Sequence, residues 1–320
     1  MFFVLFLCYT VNKAINTINT NRNQYLVISL REGEMVKQNN LIKPNVLIHA
    51  THKKVSLNMG RGYNTFLFNA RKQLRENPNT TIFSVKIKEF LEISNINGAN
   101  RKQLENEISK LMDTKIEFNI FNQVKKDYSD WAKMNILVTV AKIGNEFIYE
   151  LPSAVVNLLK MGLDAMNERI NESIEDKIID KICSINNTDA DLLYTKIDML
   201  LAHDFRKKYT LFFFEFLKSY ESSPQVPEVT IQKIREFAGI EDELYVRYAD
   251  LDRKVIKPSI EELNNQCLNG KITFYTEYET NAKKKTEKVE KIKFKIYSSF
   301  KLVKRLHELN LKIEVDNFDD

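Results

Sequence analysis

An α+β chain made of two tandem winged-helix domains related by internal duplication is predicted by three observations. The first is a stretch late in the chain. There YVRYADLDRKVIKPSIEELNNQ, from Tyr245, leads into KITFYTEY, a lysine-rich NAKKKTEK and a returning KIKFKIY that ends at Tyr297. A helix followed by a two-stranded ribbon with a basic tip is how a helix and its wing read in sequence. The second is an internal match: KIKEFLEI at Lys86–Ile93 returns as KIREFAGI at Lys233–Ile240, an offset of 147 residues. In the third, the flanking pieces recur in the same order. GYNTFLFNARKQL from Gly62 is answered by KYTLFFFEFLKSY from Lys208, and KIEFNIF from Lys115 by KITFYTE from Lys271. So long a repeat is a duplicated domain, since solenoid units span about 20–50 residues.

Composition agrees with two ordinary domains: 320 residues, 43% of them hydrophobic and 11% aromatic, can fill two cores. The net charge of +5 is modest, so the case for a polyanionic partner rests on where the charge lies. Cys8, Cys183 and Cys267 are widely spaced and form no CxxC, which argues against a disulfide framework and a structural zinc, and for a reducing cytoplasm. The expected divisions are a leader over 1–34, a first winged helix over 35–161, a helical linker over 162–205 and a second winged helix over 206–320.

The leader opens on MFFVLFLCYTV, apolar for eleven residues. A membrane span needs about 20. A basic n-region and a cleavage site are also lacking, so neither a membrane anchor nor a signal peptide is expected. Residues 1–34 are read as non-native or disordered, with Met35 the first residue of the working protein; a strand or helix docked on the first domain is the alternative. From Val46 to Asn77 apolar and aromatic positions recur at helical spacing, and Asn77-Pro78-Asn79 ends the pattern. His49 and His52 lack a neighbouring cysteine or acidic ligand and read as surface or core histidines.

An extended TTIFSV, the helix Lys86–Ile93, the turn SNINGAN and the helix RKQLENEISKLM then outline a helix-turn-helix. In its second helix Leu104, Ile108 and Leu111 share a face, and Lys102, Gln103, Asn106 and Lys110 point away from it. Those outward residues suit a major groove, because Gln and Asn pair with adenine and Lys meets guanine or phosphate. The strand KIEFNIF, the tip NQVKKDYSDWAK and the runs MNILVTVAKI and EFIYELP read as one ribbon, the first wing. Lys125 and Lys126 are its phosphate contacts, and Trp131 is expected at its base. Residues 160–207 break the repeat and read as amphipathic helices around a polar turn, suited to interdomain packing first and a dimer surface second.

In the second copy the aromatic run after Lys208 is expected to be the best-buried helix, and Gly239 to cap the helix before it. In the long helix that follows, Tyr248, Leu251, Val255 and Leu263 share one side. Asp250, Arg253, Lys254, Lys257, Glu261 and Asn264 share the other; the helix is taken as a recognition helix beginning near Arg247, with Arg247, Arg253, Lys254, Lys257 and Asn264 as its expected DNA contacts. Pro258 should force a bend or start a fresh turn. Between Asn281 and Lys295 seven lysines stand against two glutamates, and Lys283, Lys284, Lys285 and Lys288 at the tip are placed on phosphates.

The string YxRYxDLDRKVIKPSIEELN before KxTFYxEY…KKKTEKVEKIKFKI resembles the initiator replication proteins of theta-replicating iteron plasmids, over roughly residues 40–300 and more strongly in the second domain. The resemblance implies binding to repeated double-stranded sites at a plasmid origin and distortion of adjoining A·T-rich DNA. It also implies recruitment of the host helicase and initiator proteins, dimerisation and repression of the protein's own gene. Enzyme chemistry has no such support. The eight glycines form no phosphate loop, and no Ser/His/Asp set, zinc spacing or nucleophile elbow stands out. Glu261 and Glu262 read as solvated carboxylates. The expectation is therefore a DNA-binding protein with no catalytic, metal or cofactor site. A winged-helix transcriptional regulator is the first alternative, and a DNA-coating structural or partition protein the second.

Overall fold

Apolar spacing sets the elements, and they follow one another in two similar series. A computed structural model of the chain describes residues 40–52, 55–96, 101–122, 127–161, 194–222, 228–282 and 287–311, all within the unit Gln38–Asp320. The leader and residues 162–193 of the linker lie outside the described residues.

The chain enters through strand β1 (Asn40–Pro44), the turn of helix α1 (Asn45–His49) and the two-residue β2 (Thr51–His52). The first winged helix follows as α2 (Leu57–Glu76), β3 (Ile82–Lys86), α3 (Ile87–Ser94), α4 (Arg101–Asp113), β4 (Lys115–Asn122), β5 (Asp127–Asn135), β6 (Thr139–Ile143), β7 (Glu146–Glu150) and α5 (Ser153–Met161). Next come β8 (Tyr194–Asp198) and α6 (Met199–Ala202). The second winged helix comprises α7 (Thr210–Lys218), β9 (Glu228–Thr230), α8 (Ile231–Phe237), α9 (Tyr248–Leu251), a π-helical turn over Asp252–Ile256, α10 (Lys257–Leu268), β10 (Phe274–Thr280), β11 (Lys291–Ser298) and α11 (Ser299–Glu308).

Local chemistry explains the boundaries. Ser56 caps α2, its hydroxyl accepting from the Met59 amide at 3.1 Å, and Asn77 closes that helix just ahead of Pro78. Gly239 ends α8 at φ +63°, where the Ile240 amide reaches back to the Arg235 carbonyl at 2.9 Å.

Both domains place a three-stranded antiparallel sheet against their helices, in the orders β3-β7-β6 and β9-β11-β10. The wing of the first domain is therefore β6–β7, turning at Gly144, and it corresponds to β10–β11. This corrects the sequence reading. The hairpin β4–β5 pairs with β2 in a sheet of its own, so KIEFNIF is not the counterpart of KITFYTE and the four runs do not make one ribbon. Alternation shows that a segment is a strand but not which strand it pairs with, and the pairing here is non-local. The Lys125–Lys126 tip lies outside the described residues, as does the Trp131 side chain.

The cores are closed by matching rings. Phe66, Phe90 and Phe147 meet at centroid distances of 5.0, 5.3 and 6.2 Å. Their counterparts at the 147-residue offset also cluster: Phe213 lies 5.2 Å from Phe237 and 6.2 Å from Phe294. The insertion of β4–β5 in one half and the longer helix and wing tip in the other compensate, bringing Phe147 and Phe294 back to the common offset.

The halves share one interface. Strand β1 pairs antiparallel with β8, burying Leu41 and Ile197. Residues 194–198 had read as helix, and tertiary pairing overrides that local preference. Deep between α2 and α7, Lys43 donates to Asn64 Oδ1 (2.9 Å) and Glu215 Oε2 (2.7 Å), while Asn64 Nδ2 donates to Glu215 Oε1 (2.6 Å). His49 packs against Phe216 and Tyr220, and its Nε2 lies 2.9 Å from the Ser219 hydroxyl. The His203 ring donates from Nδ1 to the Ile93 carbonyl at 2.6 Å.

Candidate nucleic-acid interface

In the first domain α4 buries Leu104, Ile108 and Leu111 and leaves Lys102, Asn106 and Lys110 exposed; the Gln103 side chain is outside the described set. Two of its acids face structural partners. Glu105 receives Lys142 of β6, and Glu107 accepts from the Ser56 hydroxyl at 2.9 Å.

The second helix, α9 through α10, is longer and interrupted. Pro258 has no amide to donate to Lys254, and its ring crowds that carbonyl in a regular α-turn. Widening the turn by one residue relieves the conflict: the Lys257 amide reaches Asp252, and the Ser259 hydroxyl donates to the Val255 carbonyl at 2.7 Å. The helix thus continues into α10 with Pro258 in its first turn, as the fresh-turn expectation has it.

The widened turn shifts the phase of everything beyond it. At a uniform 3.6 residues per turn Ile260 falls about 180° from Leu251. Both are buried, along with Val255, Ile256 and Leu263. The same shift accounts for Asn264. Read as outward and base-contacting, it instead holds the wing: its Nδ2 donates to the Thr276 carbonyl (2.8 Å) and its Oδ1 accepts from the Thr276 amide (2.9 Å). The bidentate geometry that adenine would use is already occupied.

What remains outward is basic. Arg247, Arg253, Lys254 and Lys257 are all exposed; of the acids interspersed with them, Asp252 and Glu262 are held elsewhere, whereas Asp250 pairs with Arg247 and Arg253. Asp252 accepts from the Tyr278 hydroxyl at 2.6 Å and more distantly from Tyr248 at 3.4 Å. Burial, then the Asp252 hydrogen bond and charge, push the Tyr278 hydroxyl far above its ordinary pKa, so it stays a donor. Glu262 is not solvated, contrary to the sequence reading. Its oxygens accept from the Arg206 amide (2.7 Å), the Lys207 amide (3.2 Å) and the Thr210 hydroxyl (2.5 Å), tying α10 to the segment that enters α7. Glu261 is exposed and lies 4.0 Å from Lys257.

The approach to this helix is fixed by a residue that the sequence reading missed. Arg235, only 8% exposed, donates to the carbonyls of Tyr245 (3.2 Å), Glu241 (2.9 Å) and Asp242 (3.0 Å), and also to that of Leu244. Its repeat counterpart Lys88 is an exposed surface lysine. No sequence signal separates the two positions, because the loop that Arg235 holds has no partner in the first copy. Lys254 lies over the Tyr245 ring at 5.3 Å, and Val246 is 77% exposed beside it.

On the second wing Lys291 pairs with Glu228 (3.3 Å), Lys295 with Glu279 (2.8 Å) and Lys288 with Glu290 (3.8 Å). Lys283, Lys284 and Lys285 fall outside the described residues. Among the described residues no cluster of His, Cys, Asp and Glu could hold a metal ion, and no helix is long and apolar enough to cross a membrane.

Residues 230–296, from β9 to the last wing strand, match the family model described as "Initiator Rep protein, WH2". That stretch is similar to the second winged helix of initiator Rep proteins. A crystal structure of the Pi initiator protein in complex with iteron DNA superposes on the chain with a TM-score of 0.50 at 11% identity, covering 82% of this chain and 99% of that one. The tandem winged-helix fold of this chain is thereby shared with a solved protein. Domains 2 and 3 of RctB align less closely, at a TM-score of 0.38 and 10% identity over 74% of this chain and 81% of that one. No curated protein matches the chain in sequence.

Proposed function

We propose that this chain initiates plasmid replication by binding repeated double-stranded DNA sites at an origin through the exposed helix faces of both domains. The observation that carries the reading is the basic outer face of α9–α10, with Arg247, Arg253, Lys254 and Lys257 exposed inside the segment that matches the initiator Rep model. Arg and Lys at these positions suit guanine edges and phosphates, and the rigid attachment through Leu251, Val255 and Leu263 fixes their register. Lys102, Asn106 and Lys110 make the corresponding, less basic face on α4. Two such helices in successive major grooves read direct repeats with one chain.

In this reading the wing lysines Lys283, Lys284, Lys285 and Lys288, and Lys125 and Lys126 of the extra hairpin, hold phosphates without reading bases. Local opening of A·T-rich DNA, recruitment of the host helicase and initiator proteins, dimerisation, autorepression and action in the cytoplasm follow as parts of the proposal, as does a mechanism by binding without catalysis. Footprinting on the DNA upstream of the protein's own gene tests it. Protection of evenly spaced direct repeats is expected, and uniform or absent protection contradicts it. A reporter plasmid carrying the gene and its flanking DNA separates the alternatives: autonomous replication supports the initiator, and repression alone a regulator.

A further inference from the structure

We propose that Asp250 is a positioning residue that clamps Arg247 and Arg253 toward base edges and disfavours the phosphate contacts that would hold any sequence. The inference rests on the proposed DNA-binding function and names how this helix discriminates. Asp250 sits midway between the two arginines in sequence and divides its carboxylate between them. Its Oδ2 accepts from Arg247 Nε (2.9 Å) and Nη2 (2.8 Å), and its Oδ1 accepts from Arg253 Nη2 (3.2 Å).

The exposures separate the roles. The Asp250 side chain is 21% exposed, whereas Arg247 and Arg253 are 82% and 72% exposed, so the acid is sheltered beneath the two cations. The Arg247 hydrogen bond, followed by the charges of both arginines, holds the Asp250 carboxyl below the usual carboxylate range. Exposed ion pairs three residues apart add little to a helix. This one is already anchored by its buried face, by Asp252 on Tyr278 and by Arg235 on the preceding loop. What the pairs do change is the freedom of two long side chains. Each guanidinium carries five donors in a rigid fork and spends one edge on Asp250, which leaves the rest for a partner at a set position. Recognition helices contact bases near their N-terminal end, which is where Arg247 and Arg253 stand. A carboxylate between them also repels phosphates, a cost paid on every sequence and offset only where base contacts form.

The test titrates the full chain and its Asp250→Asn and Asp250→Glu variants on two duplexes over a range of salt. One duplex is the footprinted segment, and the other is a scrambled sequence of equal length and composition. Asp250→Asn is expected to weaken the footprinted duplex about tenfold while tightening the scrambled one, so that discrimination collapses. Asp250→Glu keeps the charge but moves it outward, and is expected to lose affinity for the footprinted duplex with scrambled binding unchanged. Variants that keep the wild-type ratio, or weaken both duplexes in proportion, overturn the inference and leave the function standing. A wild-type chain that does not distinguish the two duplexes overturns both.

Discussion

The two candidate recognition helices occupy equivalent places in their domains and are built differently. Helix α4 is a single regular segment of thirteen residues, whereas α9–α10 spans Tyr248–Leu268 and carries a π-turn in its N-terminal half. The first follows the simple periodicity of its sequence. The second does not, because Pro258 adds a residue to one turn and rotates the remainder. The difference teaches that the outward face of a helix is set by its backbone as much as by its side chains. Asn264 becomes a clamp on the wing, while Arg253 and Lys254 project from the widened turn itself.

Removing the rings that both cores share is expected to have the largest effect. Phe90→Ala and Phe237→Ala should each cost about 3–5 kcal/mol in urea melts. Equal losses would mean that the ring clusters are energetically equivalent, and a small loss at one site would break the equivalence. Of similar size is the loss from Glu215→Ala, which strands Lys43 between the halves. About 3–5 kcal/mol is expected in one cooperative transition, and the double change Lys43→Met with Glu215→Leu should recover most of it.

Acid should loosen the same interface. Burial, reinforced by the charge of Lys233, lowers the His49 pKa from its ordinary 6.5 to about 4. Burial also brings His203 to about 4, with Arg61 and Lys43 contributing and its hydrogen bond to Ile93 opposing. The unfolded chain therefore takes up protons first. The histidine contribution is complete above pH 6.5 and is lost as the pH falls toward 4, at about 3 kcal/mol for each ring. Melts from pH 7 to 4 on the wild type and on His203→Gln check this, and the variant should show a shallower decline.

A smaller effect bears on the helix comparison. Pro258→Ala restores an amide donor to the turn and lets the second helix take the regular form of the first. We expect unchanged or slightly raised thermal stability, together with about a tenfold loss of affinity for the footprinted duplex as the outward set rotates. Unaltered affinity would show that the π-turn does not set the reading face.

Sequence alone gave access to whatever depends on local periodicity and self-similarity. The offset that relates Lys86–Ile93 to Lys233–Ile240 also relates the clustered phenylalanines, and the buried faces through Leu104 and Ile108 and through Leu251 and Val255 were readable as stripes. Non-local pairing was not readable. Nothing in KIEFNIF says that its strand joins Thr51–His52 and leaves the wing to β6 and β7. Nor did any pattern show that Lys43 would meet Glu215 or that Glu262 would accept from Thr210. The phase error at Asn264 has a nearer cause, since Pro258 was in view but the way the backbone absorbs it was not.

The measurement that tests the account most directly compares outward residues of the two helices on specific and scrambled duplexes. Arg253→Ala or Lys257→Ala is expected to cost about 1–3 kcal/mol on the footprinted duplex and less on the scrambled one. Alanine at Lys102 or Lys110 should weaken both more evenly, and loss of wing lysines should weaken both while making the salt slope shallower by about one unit per phosphate contact. If Arg253→Ala and Lys257→Ala weaken the two duplexes equally, α9–α10 does not read sequence and the central claim fails.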